Sequence, residues 1–486
     1  MSILNPEQGG VLGNVLPSTS FGEVKVAEPT PMVQISSQYG LTDELIHFSA
    51  ATGNASIENN LFNVNTGTDP FGLGTITSNE HLHYRAGQGC LAKFSSLFTN
   101  GTTSGIQLAG LINSENSFGF GYLDGDFGIL ISKGGVVEQY SLEITSSAIL
   151  AEDATITIDD TSYIVPLTSG TPEQNAQQIV ASLKSQTSLF LFSANNSTVT
   201  IMALVPEPKG AFSFSSGTAT ANFTKLVSGV QATFTCIPQS DWNGNIVPWL
   251  DPEKGNIYSI SFKYLGFGNT KFYVENQKTG MDILVHTIEY TNKNITTNVN
   301  TPEFRLGWLV SNRGTNTTDV VVRGASAAGF IEGKDLNKTP FISYEGVGLG
   351  IGTNPVNLLT VRNRFEFNLK ANRTDILPLL LSAGTDSSKN IIFKLTINPD
   401  FQVEPNFSYI EKDNFISEIS TDNVLIVPNT GRQIASFIVN ASSPLVLDLT
   451  PWNLKVSPNE ILVLSSQIIS GGVQDMSASL SWTENL

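Results

Sequence analysis

Three groups of residues have types and spacings that could do chemistry. Trp242, Trp249 and Asp251 crowd one turn-rich stretch. Indole faces stack on sugar rings, and a carboxylate beside them can orient hydroxyls. Asp124-Gly125-Asp126 places two more carboxylates in one turn. They could touch a sugar or a calcium ion, although a turn between strands favours small polar residues without any ligand. With Asp241, Asp251 and Glu253 they are also the candidates for the paired carboxylates of a glycan hydrolase. His81-x-His83 is the close pair among four histidines. A strand would put both rings on one face and Glu80 on the other, which leaves a metal short of ligands and predicts a polar stretch of surface. No Gly-x-Ser-x-Gly elbow occurs, and no glycine-rich loop joins a strand to a helix. The expectation is therefore a protein that is not an enzyme, with no catalytic residue, no metal and no cofactor. Its candidate glycan contacts are Trp242, Trp249, Asp251, Asp124 and Asp126.

The elements that must position these residues are mostly strands. Residues 106–112, 118–122 and 127–131 alternate apolar and small residues around the Asp124 turn, as antiparallel strands do. Further strands are predicted at 257–264, 271–275, 283–290 and 304–310, and then at 364–369, 390–397, 434–439, 461–465 and 477–482. Trp308 and Trp452 fall in strand patterns and are expected in cores. One helix is predicted. Thr171-Pro172-Glu173-Gln174 supplies an N-cap, a first-turn proline and a capping box, and Ala176, Ile179, Val180 and Leu183 form one apolar stripe. Gly346-Val347-Gly348-Leu349-Gly350-Ile351-Gly352 alternates with period two, so close backbone approach or a bulge is expected there.

The predicted fold class is mainly β: tandem β-sandwich (jelly-roll-like) domains with one small α+β module inserted in the first. The predicted boundaries are an extended N-terminal arm at 1–29, a first sandwich at 30–137 plus 231–330, the inserted module at 138–230 and a C-terminal sandwich at 331–486. Residues 1–29 contain Val11, Leu12, Val15 and Leu16 among Gly, Pro and Ser, too little for a core of their own. They read either as disordered chain or as an arm that docks on a neighbour.

Composition excludes other classes. The chain has 486 residues, 43 Asp+Glu against 26 Lys+Arg, and a net charge of −17, which disfavours nucleic-acid binding. Charged residues are 14%, well under the roughly 25% of ordinary globular domains. No apolar run approaches the roughly 18 residues of a membrane span. The N-terminus lacks a basic start and an apolar stretch, so no secretory signal is expected. Cys90 and Cys236 are far apart and are expected as buried thiols in a reducing compartment.

Several strings taken together carry a resemblance. They are Tyr84-Arg85-Ala86-Gly87-Gln88-Gly89, Asp251-Pro252-Glu253-Lys254-Gly255-Asn256-Ile257-Tyr258, Tyr264-Leu265-Gly266-Phe267-Gly268 and the final Ser479-Leu480-Ser481-Trp482-Thr483-Glu484. The set resembles uncharacterised virion structural proteins of tailed phages and large DNA viruses, and the first sandwich resembles the concanavalin-type jelly roll of lectins and viral fibres. The resemblance implies a virion surface, capsid-associated or tail/fibre component, made in the host cytoplasm. It would assemble with itself, a trimer being favoured, and with other virion proteins, and could contact host surface glycan. The rival readings are a free glycan-binding attachment protein and a polysaccharide depolymerase.

Overall fold

The computed structural model describes residues 28–314, 316, 318–333, 341–385, 389–440 and 444–484. Most of the arm, residues 1–27, lies outside them. The protein is mainly β, with sandwich-like antiparallel sheets and, among the described residues, one α-helix, Pro172–Gln186.

In the first sandwich, a nine-stranded sheet is organised around Cys90–Phe98, which pairs with Asn256–Phe262 on one side and with Val321–Gly324 and Ser326–Glu332 on the other. A seven-stranded sheet faces it, in the order Thr233–Pro238, Asp126–Lys133, Ser117–Leu123, Gly105–Ile112, Arg305–Asn312, Leu73–Ser78 and Leu45–Ala50. Alternate residues from both sheets meet in one aromatic core. Phe120 lies 4.5 Å from Tyr258 and 5.7 Å from Phe272 between ring centroids, and Phe62 lies 4.9 Å from Trp308. Gly324 is bare because a Cβ there would sit 2.3 Å from the Trp308 ring.

A module interrupts this sandwich. Its neck is a pair of backbone hydrogen bonds between Val136 and Val230, both 2.9 Å. Buried Glu138 holds the neck: it accepts from the Lys209 and Gly229 amides and pairs with Lys225 at 2.6 Å. Beyond the neck, a four-stranded and a three-stranded sheet pack with the helix. The expected capping box forms, with the Thr171 side chain accepting from the Gln174 amide and Gln174 accepting from the Thr171 amide. Ala176, Ile179, Val180 and Leu183 are buried.

The C-terminal sandwich pairs a four-stranded sheet, in the order Phe341–Ile351, Gln474–Glu484, Ile376–Thr385 and Leu445–Asp448, with a six-stranded one. Trp482 and Phe393 are fully buried between them. Two sequence expectations fail here. Trp452 is in a short 3-10 turn, Thr450–Trp452, and 43% exposed, because the chain turns there and buries Leu449 and Val456 instead. The strand expected at 364–369 shrinks to Glu366–Phe367, since Arg364 turns inward to bond the carbonyls of Lys412 and Ile416.

Candidate functional site

The Asp124 turn, the 250–256 loop and the Trp242 segment meet at one end of the first sandwich. Asp124-Gly125 is a two-residue hairpin turn with φ of 52° and 102°, values that favour an Asp-Gly pair. Its Asp124 carboxylate accepts from Arg313 at 2.8 Å. Tyr122 and Phe127, which flank the turn, pack edge-to-face with Phe98, and the Phe98 amide donates to the Pro252 carbonyl at 2.9 Å. That bond ties the turn to the loop carrying Asp251. Asp251 pairs with Lys254 at 3.0 Å and accepts from the Glu253 amide, and these hold its carboxyl below the usual range.

The tryptophans face inward more than outward. Trp242 is half-buried against Phe120 and Phe127, 5.8 and 6.3 Å away, and its indole N–H donates to the Ile237 carbonyl. Trp249 is half-buried against the same core. Asp126 opens the strand Asp126–Lys133 and is exposed. His286, 6% exposed, accepts from the Asn243 amide and so pins the loop that carries Trp242.

A second constellation was not foreseen. His81 and His83 are not surface residues; they are 4% and 2% exposed, between the first and C-terminal sandwiches. The segment is not a regular strand, and Leu82 makes a single bridge to Phe304. His83 Nε2 lies 3.1 Å from Asp375 Oδ2, and its Nδ1 lies 3.6 Å from Glu303 Oε1. Around this triad Arg373 pairs with Glu115 at 3.2 Å and donates to Ser114, and Lys455 pairs with Glu80 at 2.9 Å. Each of these pairs joins the first sandwich to the C-terminal one.

Burial opposes a charged His83, but the hydrogen bond to Asp375 and the charges of Asp375 and Glu303 outweigh it and push the ring up to about 9. Burial likewise opposes ionised Asp375 and Glu303, and attraction to His83 prevails, holding both below the usual carboxylate range. His81 moves the other way, well down, through burial and the nearby Arg305, His83 and Arg373 charges. The cluster is thus an ionic lock with His83 as the cation between two carboxylates. The module is fastened to the C-terminal sandwich as well: Arg362 donates to Glu418 at 2.7 Å and to the Ala194 carbonyl, and Asn195 donates to Glu418. A cleft of about 420 Å³ remains where the three parts meet, lined in part by Glu115, Gln139, Tyr264 and Lys370.

Among the described residues, no group of three or more His, Cys, Asp or Glu is arranged to hold a metal ion. Both cysteines are free; burial pushes the Cys90 thiol up to about 12 and that of Cys236 up to about 11, so neither is a ready nucleophile at neutral pH. No described helix is long and apolar enough to cross a membrane.

The architecture defines a class, the mainly β proteins built from sandwiches. No family model matches the chain, and no curated protein matches it in sequence. Among solved structures, lectin II from Ulex europaeus is 10% identical, with a TM-score of 0.22 over 62% of this chain and 100% of that one. A lectin from Bauhinia forficata in complex with GalNAc is 9% identical, with a TM-score of 0.22 over 63% and 99%. The Faustovirus major capsid protein is 8% identical, with a TM-score of 0.13 over 93% and 92%. Likeness at this level bears on neither the ligand nor the partners of this chain.

Proposed function

We propose that the chain is a structural protein of a virus particle, a surface, capsid-associated or tail/fibre component that works by assembly and not by catalysis. The observation that carries this reading is the ionic lock. His83, Asp375 and Glu303, with Arg373–Glu115 and Lys455–Glu80, fix two sandwiches to each other, and Arg362–Glu418 fixes the module to the second. Ionic contacts buried between sandwiches suit a rigid block that must hold its shape in an assembly. They are poorly suited to modules that swing about linkers, whose interfaces are the smaller and more polar default. The resemblance in the sequence strings points the same way, to a subunit made in a host cytoplasm that joins copies of itself and other virion proteins through its sandwiches and arm.

The test is quantitative mass spectrometry of purified particles from the virus that encodes the chain. A fixed copy number that survives stringent washing supports the reading, and absence from particles refutes it.

Glycan contact is a second reading, favoured by the meeting of the Asp124, Asp251 and Trp242 segments at one sandwich end. It calls for binding to host-surface glycans that falls at least tenfold in Trp249→Ala. Unchanged binding in Trp242→Ala and Trp249→Ala removes this site.

A further inference from the structure

The strand Phe341–Ile351 is an edge. Its paired neighbour is Gln474–Glu484, and no strand among the described residues pairs with its other side. At eleven residues it is long for an edge strand. The Val347 carbonyl accepts from the Asn423 side chain at 3.1 Å, so the backbone of Val347 faces away from the paired strand. With the two-residue period of a strand, the amides and carbonyls of Ser343 and Glu345 face the same free side.

Alongside lies an open depression of about 620 Å³, lined by Ser343, Glu345, Val347, Ser479 and Thr421. The outward side chains include Phe341, Val347 and Leu349, exposed by 61%, 51% and 70%. The same sheet face exposes Leu380 and Val446 further across. A long edge with exposed apolar side chains, whose outward carbonyl at Val347 is held by one side-chain amide and not by a strand, is a template for another strand.

The chain supplies a segment of fitting pattern. Added as a strand, Val11-Leu12-Gly13-Asn14-Val15-Leu16 would put Val11 and Val15 on one face and Leu12 and Leu16 on the other, with no charge to desolvate. Its tether starts in the right place. The Glu28 carbonyl accepts from the Gly333 amide at 2.9 Å, and Gly333 precedes the edge strand by eight residues, so tether and edge begin within about 28 Å of each other. Twenty-seven residues precede Glu28 and can span up to about 90 Å, several times the roughly 23 Å radius of gyration of a compact chain of this length. Copies around an axis passing near that corner could therefore exchange segments, each edge receiving one.

We propose that residues 11–16 of a second copy add as a fifth strand to the free edge Phe341–Leu349, and that the apolar outer face beside this edge forms part of the same contact. A neighbouring copy is the occupant because a single added strand would leave Leu380 and Val446 uncovered, whereas a second body can reach them. The inference rests on the assembly reading above and gives it a location.

The test is the native mass of the full chain by light scattering, beside a chain lacking residues 1–20, Glu345→Pro and Val347→Lys, with hydrogen exchange on peptides covering 341–349. Glu345→Pro removes an outward amide, and Val347→Lys is a gentler change that leaves the existing ladder intact. The expected result is a full-length oligomer, reduced to the mass of a single chain by the truncation and by both substitutions. Edge amides should exchange at least tenfold faster in the truncated chain. An oligomer that persists in Val347→Lys and Glu345→Pro overturns the proposed edge while leaving assembly standing. A full-length monomer whose edge is protected through residues 1–20 means that the segment closes on its own copy, and overturns the exchange between copies. A monomer with an unprotected edge overturns both the inference and the assembly reading.

Discussion

Raising the pH should weaken the lock between the two sandwiches through one histidine. His83 is held at about 9 against an ordinary 6.5, with Asp375 and Glu303 as the cause once burial is overcome. Because its folded value lies above its unfolded value, the stabilisation is fully present below about pH 6.5 and is lost as pH rises through about 9. At about 1.4 kcal/mol per unit, the difference amounts to something on the order of 3 kcal/mol. Asp375 and Glu303 carry the opposite sign: their contribution is present above their unfolded values and is lost as acid protonates them. The lock is therefore strongest between the ordinary carboxylate range and about pH 6.5. Other charged or titratable groups nearby include His81, Arg305, Arg373, Lys455, Glu115, Glu80 and Glu460.

His83→Gln separates His83 from these neighbours, since it keeps a polar group of similar reach without a charge. Urea unfolding of both proteins at pH 6, 8 and 10 should show a stability deficit for the variant that is steady below pH 6.5 and shrinks by about 3 kcal/mol at pH 10. Carbon-labelled histidine gives a sparse NMR spectrum, because the chain has four histidines, and the His83 ring should titrate near 9. A His83 that titrates at or below 6.5, or a deficit independent of pH, would refute the reasoning.

Three further outcomes follow from contacts elsewhere. Arg362→Ala leaves the buried Glu418 carboxylate without its guanidinium and removes the stack on Phe407, 3.7 Å away; a loss of about 3–5 kcal/mol is expected in urea unfolding, with earlier proteolytic release of the module. Gly324→Ala drives a methyl into the Trp308 ring and should cost about 1–3 kcal/mol, visible as a shifted tryptophan emission and a lower melting temperature. Thr171→Ala removes the helix cap and should cost about 1 kcal/mol, largely restored by Thr171→Ser, as read by helix amide exchange in the module.

What could be read in the sequence was local. The capping box at Thr171 and Gln174 lies within four residues, and the Asp124-Gly125 turn within two, so their patterns are complete in the chain itself. The period-two runs gave away strands in the same way. The ionic lock was invisible because its members are scattered: His83 finds Asp375 across 292 residues, and no local rule distinguishes a buried His from an exposed one. Trp452 misled for the opposite reason. Its surroundings look strand-like, but the chain turns there, and nothing in the local pattern says that the ring stays outside.

The measurement that tests the central claim most directly is the native mass of the intact chain by light scattering over a wide concentration range. The account predicts a defined oligomer, a trimer being favoured, at a whole multiple of 52.3 kDa. A mass of one chain at every concentration would contradict a subunit that assembles with itself.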